Sequence, residues 1–381
     1  MCMVEKYRFP SWNVFKYHIE NISLSDITDQ LQSQVLQAHH NNTPLVITGG
    51  GSKSFYGNAC DGDALSVSEH RGIVEYEPRE LVVTVKAGTP LKELQQRLSD
   101  QGQMLPFEPP GFGDSATIGG TIACGLSGPR RPFAGSARDF VLGCKVLTGK
   151  GEVIEFGGRV IKNVAGYDVS RLMVGALGTL GVLLEVSLKV LPVPEAELTL
   201  AMPAHVNEAV DIMNARAGQA VPLSAAVYDG EAVVLRLSST GQGIKEAMKK
   251  IAGDELKQGA EFWQQINEQE HFFFADEMPL WRLSMAPATL HLGLPGSWLF
   301  DWGGALRWLK TDMTPHDVRD AVEAEGGHAT LFKNKEFWLQ QESFPVFHPL
   351  PSALMAIHQK LKSAFDPRKI LNRNRFYEDQ F

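Results

Sequence analysis

The sequence has few cysteines, and none of them are closely paired. Its 381 residues include Cys2, Cys60, Cys124 and Cys144, and the spacing C-x-x-C occurs nowhere. Iron–sulfur clusters and structural zinc sites need several closely spaced cysteines, so the sequence predicts neither in this chain. Four scattered cysteines also provide no disulfide framework, which favours a reducing, intracellular compartment.

Long apolar runs and blocks of basic residues are missing as well. No window approaches the 18 uncharged apolar residues that a membrane-spanning helix needs, and the first ten residues have no apolar signal core. The net charge is −8, without a Lys/Arg cluster, which argues against nucleic acid as the main partner. We therefore expect a cytoplasmic protein, for which any peripheral association with the inner membrane comes through partner subunits.

Two changes of pattern divide the chain. Residues 23–192 alternate helical and strand patterns, and Pro192 and Pro194 close the last strand run. Beyond them, hairpin signals such as Asp229-Gly230 follow, and an amphipathic helix begins near Pro351. The sequence thus predicts an α+β fold in three parts. They are a nucleotide-binding domain over 13–194, a smaller α+β cap domain over 195–350, and a C-terminal helix and tail over 351–381 that packs back on the first domain.

What the first part has in abundance is glycine, concentrated in three segments: Gly49–Ser52, Gly111–Gly128 and Gly175–Gly181. Backbone without Cβ atoms can approach a ligand closely, and consecutive N–H groups form an anion-binding concavity. Each segment alone is equally typical of a flexible surface turn. Together, they predict one extended dinucleotide held at separated points. Because of its prolines and glycines, we expect the stretch 106–128 to contain no core helix.

A classical nicotinamide-binding fold is not favoured. Gly111-Phe112-Gly113 has the spacing at which a Rossmann turn begins, but Pro109-Pro110 stand where the strand should be, and no helical pattern follows directly.

Several motifs resemble those of the vanillyl-alcohol-oxidase (PCMH-type) FAD-binding family, and they occur in family order. They are Pro44–Ser52 (diphosphate loop), Ala116–Gly120 (central flavin loop), Gly166-Tyr167-Asp168, Val174–Val182, and Phe365-Asp366-Pro367 with Ile370-Leu371-Asn372. Within the family, Ile161–Asp168 and Gly326–Phe332 are most similar to the FAD-binding accessory subunits of bacterial glycolate oxidases. The fold implied is a PCMH-type FAD-binding domain of two subdomains, a cap domain, and a C-terminal segment that returns to the flavin.

The resemblance implies a role for each matching position. The diphosphate would be held by Gly49, Gly50, Gly51, Ser52 and Lys53; the flavin and ribityl chain by Pro109, Pro110, Thr117, Gly119 and Gly120; the ring border by Gly125 and Ser127; the adenosine end by Gly181 and Val182; and the isoalloxazine edge by Asn372. Tyr167 is as consistent with a core position as with a site position.

Catalytic residues are harder to find. Relatives that oxidise 2-hydroxy acids carry a metal motif, H-x-G-D-G-x-x-H, which this sequence lacks, so no metal is expected. No histidine follows the triple glycine, which predicts noncovalent FAD. His328 is the one candidate for a catalytic base, although a structural histidine is the more common case. Arg282 is consistent with binding a ligand carboxylate or with pairing to a buried acid. The aromatic stripe Trp298–Trp302 is consistent with a stacking platform for a substrate, a sheet face in the core or a partner interface.

Three functions follow from this resemblance. In the first, the chain is the FAD-binding subunit of a glycolate-oxidase-type hetero-oligomer, next to a homologous catalytic flavoprotein subunit, and passes electrons to an iron–sulfur subunit. In the second, it is a self-sufficient FAD-dependent alcohol or 2-hydroxy-acid dehydrogenase. In the third, it is a scaffold that keeps the fold without redox chemistry. The missing metal motif and cluster cysteines favour the first.

Overall fold

The computed structural model describes residues 24–158, 168–339 and 344–377. The helices are Thr28–Asn41 (α1), Leu91–Ser99 (α2), Ile118–Cys124 (α3), Arg131–Ala134 (α4), Ala137–Phe140 (α5), Val169–Leu172 (α6), Val206–Ala217 (α7), Gly241–Met248 (α8), Gly259–Glu268 (α9), Pro315–Ala324 (α10), Glu336–Leu339 (α11) and Ser352–Phe365 (α12). Residues 13–23 of the first predicted domain, and Tyr167, lie outside the described residues.

Strands alternate with these helices along the whole chain. They are Leu45–Thr48 (β1), Asp63–Ser66 (β2), Ile73–Glu77 (β3), Val82–Lys86 (β4), Gln103–Met104 (β5), Val141–Leu147 (β6), Val153–Gly157 (β7), Val182–Lys189 (β8), Leu191–Pro192 (β9), Ala196–Pro203 (β10), Leu223–Tyr228 (β11), Ala232–Ser239 (β12), Asp254–Glu255 (β13), Leu280–Ser284 (β14), Ser297–Asp301 (β15), Leu306–Lys310 (β16) and His328–Lys333 (β17).

Besides the short antiparallel pair β5–β9, the described N-terminal part contains two sheets that meet at the glycine-rich segments. β1 and β2 run parallel, with Leu45 opposite Asp63, and α1 covers them with Leu31 and Val35. The other sheet is antiparallel, in the order β3-β4-β8-β6-β7. Its core includes the buried side of α2 and α3. α1 and β1 share a core with Leu147 of β6 and with Val182 and Leu184 of β8, so the two units pack against each other.

A larger antiparallel sheet makes up the later part, in the order β13-β10-β12-β11-β15-β16-β14-β17. One of its faces is covered by α7, α8 and α10. The other face packs against loops of the N-terminal part, through residues such as Phe55, Phe112 and Leu126. This inner face is where the two parts of the chain meet.

The expectation of no core helix between residues 106 and 128 was wrong. α3 lies within this stretch, and Ile118 and Ile122 are buried. Thr117 caps the helix by accepting a hydrogen bond from the N–H of Gly120, at 3.3 Å. A Cβ at Gly119 would lie 2.6 Å from the Cβ of Ala87. Glycine here allows a short helix to pack directly on the chain after β4, and this contact between distant residues outweighs glycine's poor helix propensity.

The C-terminal segment returns to the start of the fold, and helix α12 leads into it. Leu371 forms a parallel bridge with Leu45 of β1. The N–H of Leu45 donates to the carbonyl of Ile370 at 2.6 Å, and the N–H of Asn372 donates back to Leu45 at 2.9 Å. Residues 370–372 thus extend the β1–β2 pair on its free edge.

Candidate functional site

One trough runs between the β1–β2 unit and the antiparallel sheet of the N-terminal part. The space between its walls amounts to about 1000 Å³, part of it open to solvent. Residues from all three glycine-rich segments line it, together with two residues of the C-terminal segment. The segments that the sequence singled out are therefore brought together around a single space.

Missing Cβ atoms let the trough's walls approach each other. A Cβ at Gly50 would lie 1.4 Å from the carbonyl oxygen of Ser115, and one at Gly49 would lie 2.2 Å from Oγ1 of Thr117. A Cβ at Gly181 would lie 2.4 Å from the side chain of Val146. These three glycines are thus required by close contacts with other parts of the protein. Gly51 is different, because its φ is +75° and no atom lies within 4 Å of its Cβ position.

The loop after β1 presents unused backbone donors. Among the described residues, the N–H groups of Gly50, Gly51, Ser52 and Lys53 donate no hydrogen bond to a protein atom. Successive free N–H groups form a concavity that binds anions such as phosphates. This row of donors therefore fits the diphosphate of a dinucleotide.

Charge in the trough also suits an anion. Its described lining includes Lys53 and Arg375 but no aspartate or glutamate. Lys53 is 7% exposed, its Nζ lies 3.1 Å from the carbonyl oxygen of Gly111, and burial lowers its pKa below the usual lysine value. Arg375 donates to the carbonyl oxygens of Asn58 at 3.0 Å and Ser54 at 2.9 Å, so it fixes the loop that carries the free donors.

Asn372 joins two walls of the trough. Its Oδ1 accepts the N–H of Ile47 at 2.7 Å, and its Nδ2 donates to the carbonyl of Leu177 at 2.7 Å. Both Leu177 and Asn372 have positive φ, at 51° and 40°. The side-chain amide therefore connects β1 to the third glycine-rich segment, and it is not free to reach far into the trough.

Two thiols line the trough, Cys60 and Cys124. Burial raises the pKa of both, and that of Cys124 rises to about 11, opposed by the nearby charge of Lys53. A thiol is nucleophilic only as the thiolate. Both therefore stay neutral near pH 7, which makes them poor points of covalent attachment.

The sequence-predicted site residues separate into two groups. Those that line the trough are Gly49, Gly50, Gly51, Ser52, Lys53, Thr117, Gly119, Gly120, Gly181 and Asn372. Pro110 and Ser127 line a second, smaller cavity. Pro109 is buried elsewhere, Val182 is fully buried in the core beneath α1, and a Cβ at Gly125 would meet Gly175 at 3.0 Å.

The candidate base, His328, is not among the trough-lining residues. It is exposed at the first position of β17, opposite Ser284, and its ring lies 6.3 Å from that of His348. Trp298 and Phe300, of the aromatic stripe, are buried beneath the helices on the outer face of the larger sheet, so they are core residues.

Sequence reasoning missed Arg375 and the trough-lining cysteines. Arg375 lies three residues after Asn372, so the returning segment was a signal for it. Cys124 is one and a half helical turns from Gly119 on α3, and it was missed together with that helix.

Comparison with known proteins identifies the family. A family model described as an FAD binding domain matches residues 25–157. The glycolate oxidase subunit GlcE of Escherichia coli (strain K12) is 45% identical over 354 residues, which cover 93% of this chain and 98% of that protein. The chain belongs to the GlcE family. It is therefore a glycolate-oxidase-type FAD subunit in an oxidoreductase family, and FAD is its cofactor.

Less similar relatives match a smaller share of the chain. The glycolate oxidase subunit GlcD of Bacillus subtilis (strain 168) is 33% identical over 176 residues, 45% of this chain and 37% of that protein. Among solved structures, an alkyldihydroxyacetonephosphate synthase superposes with a TM-score of 0.63 at 16% identity, covering 91% of this chain and 74% of that one. This likeness shows the fold, a PCMH-type FAD-binding domain followed by further α+β structure.

The described residues contain neither a candidate membrane span nor a candidate metal site. No helix within 24–158, 168–339 or 344–377 is both long and apolar enough to span a membrane. In the same ranges, His, Cys, Asp and Glu side chains form no group of three or more with the arrangement of a metal site.

Proposed function

We propose that this chain passes electrons from substrate oxidation to an iron–sulfur subunit, as the accessory flavoprotein of a multi-subunit glycolate oxidase. A homologous flavoprotein subunit would carry the catalytic residues for the hydroxy acid. The names of the relatives GlcE and GlcD both describe glycolate oxidase subunits. An association with the inner membrane through those partners is part of the same proposal.

The observation that carries the proposal is the chemistry of the trough lining. Its described titratable residues are Lys53, Cys60, Cys124 and Arg375, and it includes neither a histidine nor a carboxylate. Oxidation of an alcohol needs a base that takes the hydroxyl proton. FAD, when bound, accepts an electron pair and releases electrons one at a time. A trough that holds FAD but offers no base is better suited to electron transfer than to independent oxidation of a substrate.

The proposal gives a role to each part of the trough. The N–H groups of residues 50–53 bind the diphosphate, and Lys53 and Arg375 balance its charge. Gly119, Gly120 and Thr117 lie along the flavin and ribityl chain, and Gly181 lies at the adenosine end. FAD is bound noncovalently, since burial keeps both lining thiols neutral.

Domain boundaries belong to the proposal as well. We place the FAD-binding domain at 13–194, the cap at 195–350 and the returning segment at 351–381. The described strands support this division. In chain order, β8 is the last strand of the five-stranded antiparallel sheet, and β10 is the first strand of the larger sheet.

Absorption spectroscopy tests the proposal. The purified chain is expected to carry flavin that denaturation releases, and anaerobic glycolate or D-lactate should leave its spectrum oxidised. Reconstitution with the catalytic and iron–sulfur subunits should then allow both bleaching and cluster reduction. Rapid bleaching of the isolated chain would instead show a self-sufficient dehydrogenase. Flavin that remains oxidised in the working complex would exclude the electron-transfer role.

A further inference from the structure

A surface groove lies between helices α6 and α12, on the far side of one wall of the trough. About 620 Å³ lies between its walls, part of it open to solvent, which is room for a few side chains of a protruding segment. Its described lining is mainly apolar, and it includes Leu172, Val174, Leu180 and Leu361. We call it the α6–α12 groove.

The groove and the trough have a wall in common. Ala176, of the third glycine-rich segment, lines both spaces. Its neighbour Gly175 also lines the groove, and a Cβ at Gly125 would lie 3.0 Å from Gly175. The family resemblance implies that Gly125 borders the flavin ring. A protein bound in the groove is therefore separated from the trough by a single stretch of backbone.

Helix α12 continues the apolar lining onto the surface. Leu354 and Ile357 are 47% and 52% exposed. Leu354 lies four residues before His358, and Ile357 lies four residues before Leu361, and both of these later residues line the groove. Residues four apart share a face of a helix, so the exposed pair borders the groove. An apolar stripe that continues into a groove is typical of a surface that another protein covers.

Two arginines make the groove positive on an acidic protein. The chain has a net charge of −8, yet the described lining contains Arg138 and Arg171 and neither an aspartate nor a glutamate. Arg138 is exposed, and it forms no hydrogen bond or ion pair with any residue that the structure describes. Arg171 pairs with Asp168 at 3.1 Å, but the two side chains are 41% and 43% exposed. An exposed pair of this kind is weak, so both arginines are available to carboxylates of a partner.

The charges favour a partner over the neighbouring sequence of this chain. Residues 159–167 lie between β7 and α6 in the sequence, and they contain Arg159 and Lys162 but no acidic residue. They would bring charge of the same sign toward Arg138. A segment with carboxylates beside apolar side chains complements both the arginines and the stripe on α12.

We propose that the iron–sulfur subunit docks in the α6–α12 groove with such an acidic and apolar segment. This inference rests on the proposed electron-transfer role, and it adds the surface through which the acceptor approaches. Electron transfer slows steeply with distance, so the acceptor subunit has to bind close to the flavin. The wall shared at Ala176 therefore favours this subunit over the homologous flavoprotein subunit as the occupant. The inference itself concerns binding alone.

Biolayer interferometry between the full flavin-loaded chain and the purified iron–sulfur subunit tests the docking site. Ile357→Glu places a carboxylate on the apolar stripe, and Arg138→Glu reverses an unpaired charge. Each should raise the Kd at least about tenfold. Leu290→Glu and Arg71→Glu change exposed residues outside the groove, and these matched controls should bind as the wild type does. If Ile357→Glu does not fold, Leu354→Glu takes its place.

Salt tests the charge of the docking segment. Raising the salt concentration from about 50 mM to about 500 mM screens exposed charges, so it should weaken wild-type binding at least about threefold. It should affect Arg138→Glu less, because that variant has lost the attraction. Binding that does not depend on salt would overturn the assignment of carboxylates to the partner.

Two measurements keep this inference separate from the proposed function. Flavin absorbance shows that each variant still holds FAD, and stopped-flow absorption follows cluster reduction by the pre-reduced chain. Normal cluster reduction and unchanged affinity in both groove variants would overturn the docking site alone. A wild type that binds the subunit without reducing its cluster would overturn the proposed function, and weaker binding in the variants would still support the docking site.

The same variants distinguish other occupants. Loss of the homologous flavoprotein subunit, with the iron–sulfur subunit still bound, would assign the groove to the former and overturn the inference. Light scattering shows whether the chain alone is a dimer. A dimer that Ile357→Glu dissociates would mean that a second copy covers this face, and the inference would be wrong.

Discussion

Lys362 and Asp366 form an ion pair in which neither side chain is exposed to solvent, with 2.9 Å between Nζ and Oδ2. The two residues are one turn apart at the end of α12. Lys362 also donates to the carbonyls of Thr179 and Leu371, each at 2.8 Å. Asp366 accepts the N–H groups of Ile370 and Leu371. The pair therefore connects α12, the third glycine-rich segment and the returning segment.

The variant Lys362→Met should be strongly destabilised. Removing the ammonium leaves a buried carboxylate and two carbonyls without their partner, a loss of about 3–5 kcal/mol for a buried pair. Urea unfolding, followed by circular dichroism, measures this loss. Lys360→Met, two residues away and exposed, should change the unfolding free energy by less than about 0.5 kcal/mol. Equal unfolding free energies of the two variants would show that the buried pair does not stabilise the fold.

The variant Asn372→Ala should release FAD more readily. It leaves the N–H of Ile47 and the carbonyl of Leu177 unpaired, at a cost of about 1–3 kcal/mol for each buried group. Because these groups belong to two walls of the trough, we expect the dissociation constant for FAD to rise about tenfold or more. Fluorescence of released flavin during dialysis measures it. Asn41→Ala, at an exposed position of α1, is the control, and equal retention of flavin would contradict the expectation.

Gly50→Ala tests the contact between the loop after β1 and Ser115. The new Cβ would lie 1.4 Å from a backbone oxygen, so the loop must move and the row of free N–H groups is disrupted. We expect the purified variant to contain little flavin. In Gly218→Ala, the new Cβ would have its nearest neighbour at 3.6 Å, and this variant should keep its flavin. A yellow Gly50→Ala protein with normal affinity would refute the proposed diphosphate loop.

Stability should rise with pH between about 4 and 6.5 because of His70. Its side chain is fully buried, and burial, followed by the charge of Lys86, lowers its pKa to about 4. The unfolded chain binds a proton at this residue below about pH 6.5 and the folded chain does not, so acid favours unfolding, by up to about 3 kcal/mol. Urea unfolding at several pH values should give a smaller slope for His70→Gln than for the wild type. Equal slopes of unfolding free energy against pH in the two proteins would show that His70 does not cause the pH dependence.

Local patterns along the chain predicted the FAD-binding fold and the meeting of the glycine-rich segments. Strand and helix periodicity predicted the alternation of helices and strands over residues 23–192, because such patterns depend on neighbours in sequence. Family motifs then gave the cofactor. Helix α3 was missed because its stability depends on Gly119 packing against Ala87, which is more than thirty residues away.

The details of the candidate site were less predictable. Glycine marked the right loops, but the reason for several glycines is protein packing across the trough, which only the folded chain shows. The second cavity combines Ser127, Asn267, Arg282 and Asp301 from four separate stretches of sequence. No local pattern connects these residues, so the sequence alone leaves Arg282 open to two interpretations.

The bond between Ile47 and Asn372 joins residues 325 positions apart, and this affects how the protein matures in the cell. A ribosome will have exposed the β1 loop long before residues 370–375 leave its exit tunnel. During that interval, the nascent chain lacks one edge of its nucleotide site, and that edge forms only after residues 370–375 have been made. Closing so long a loop also makes assembly of the site a slow step in folding.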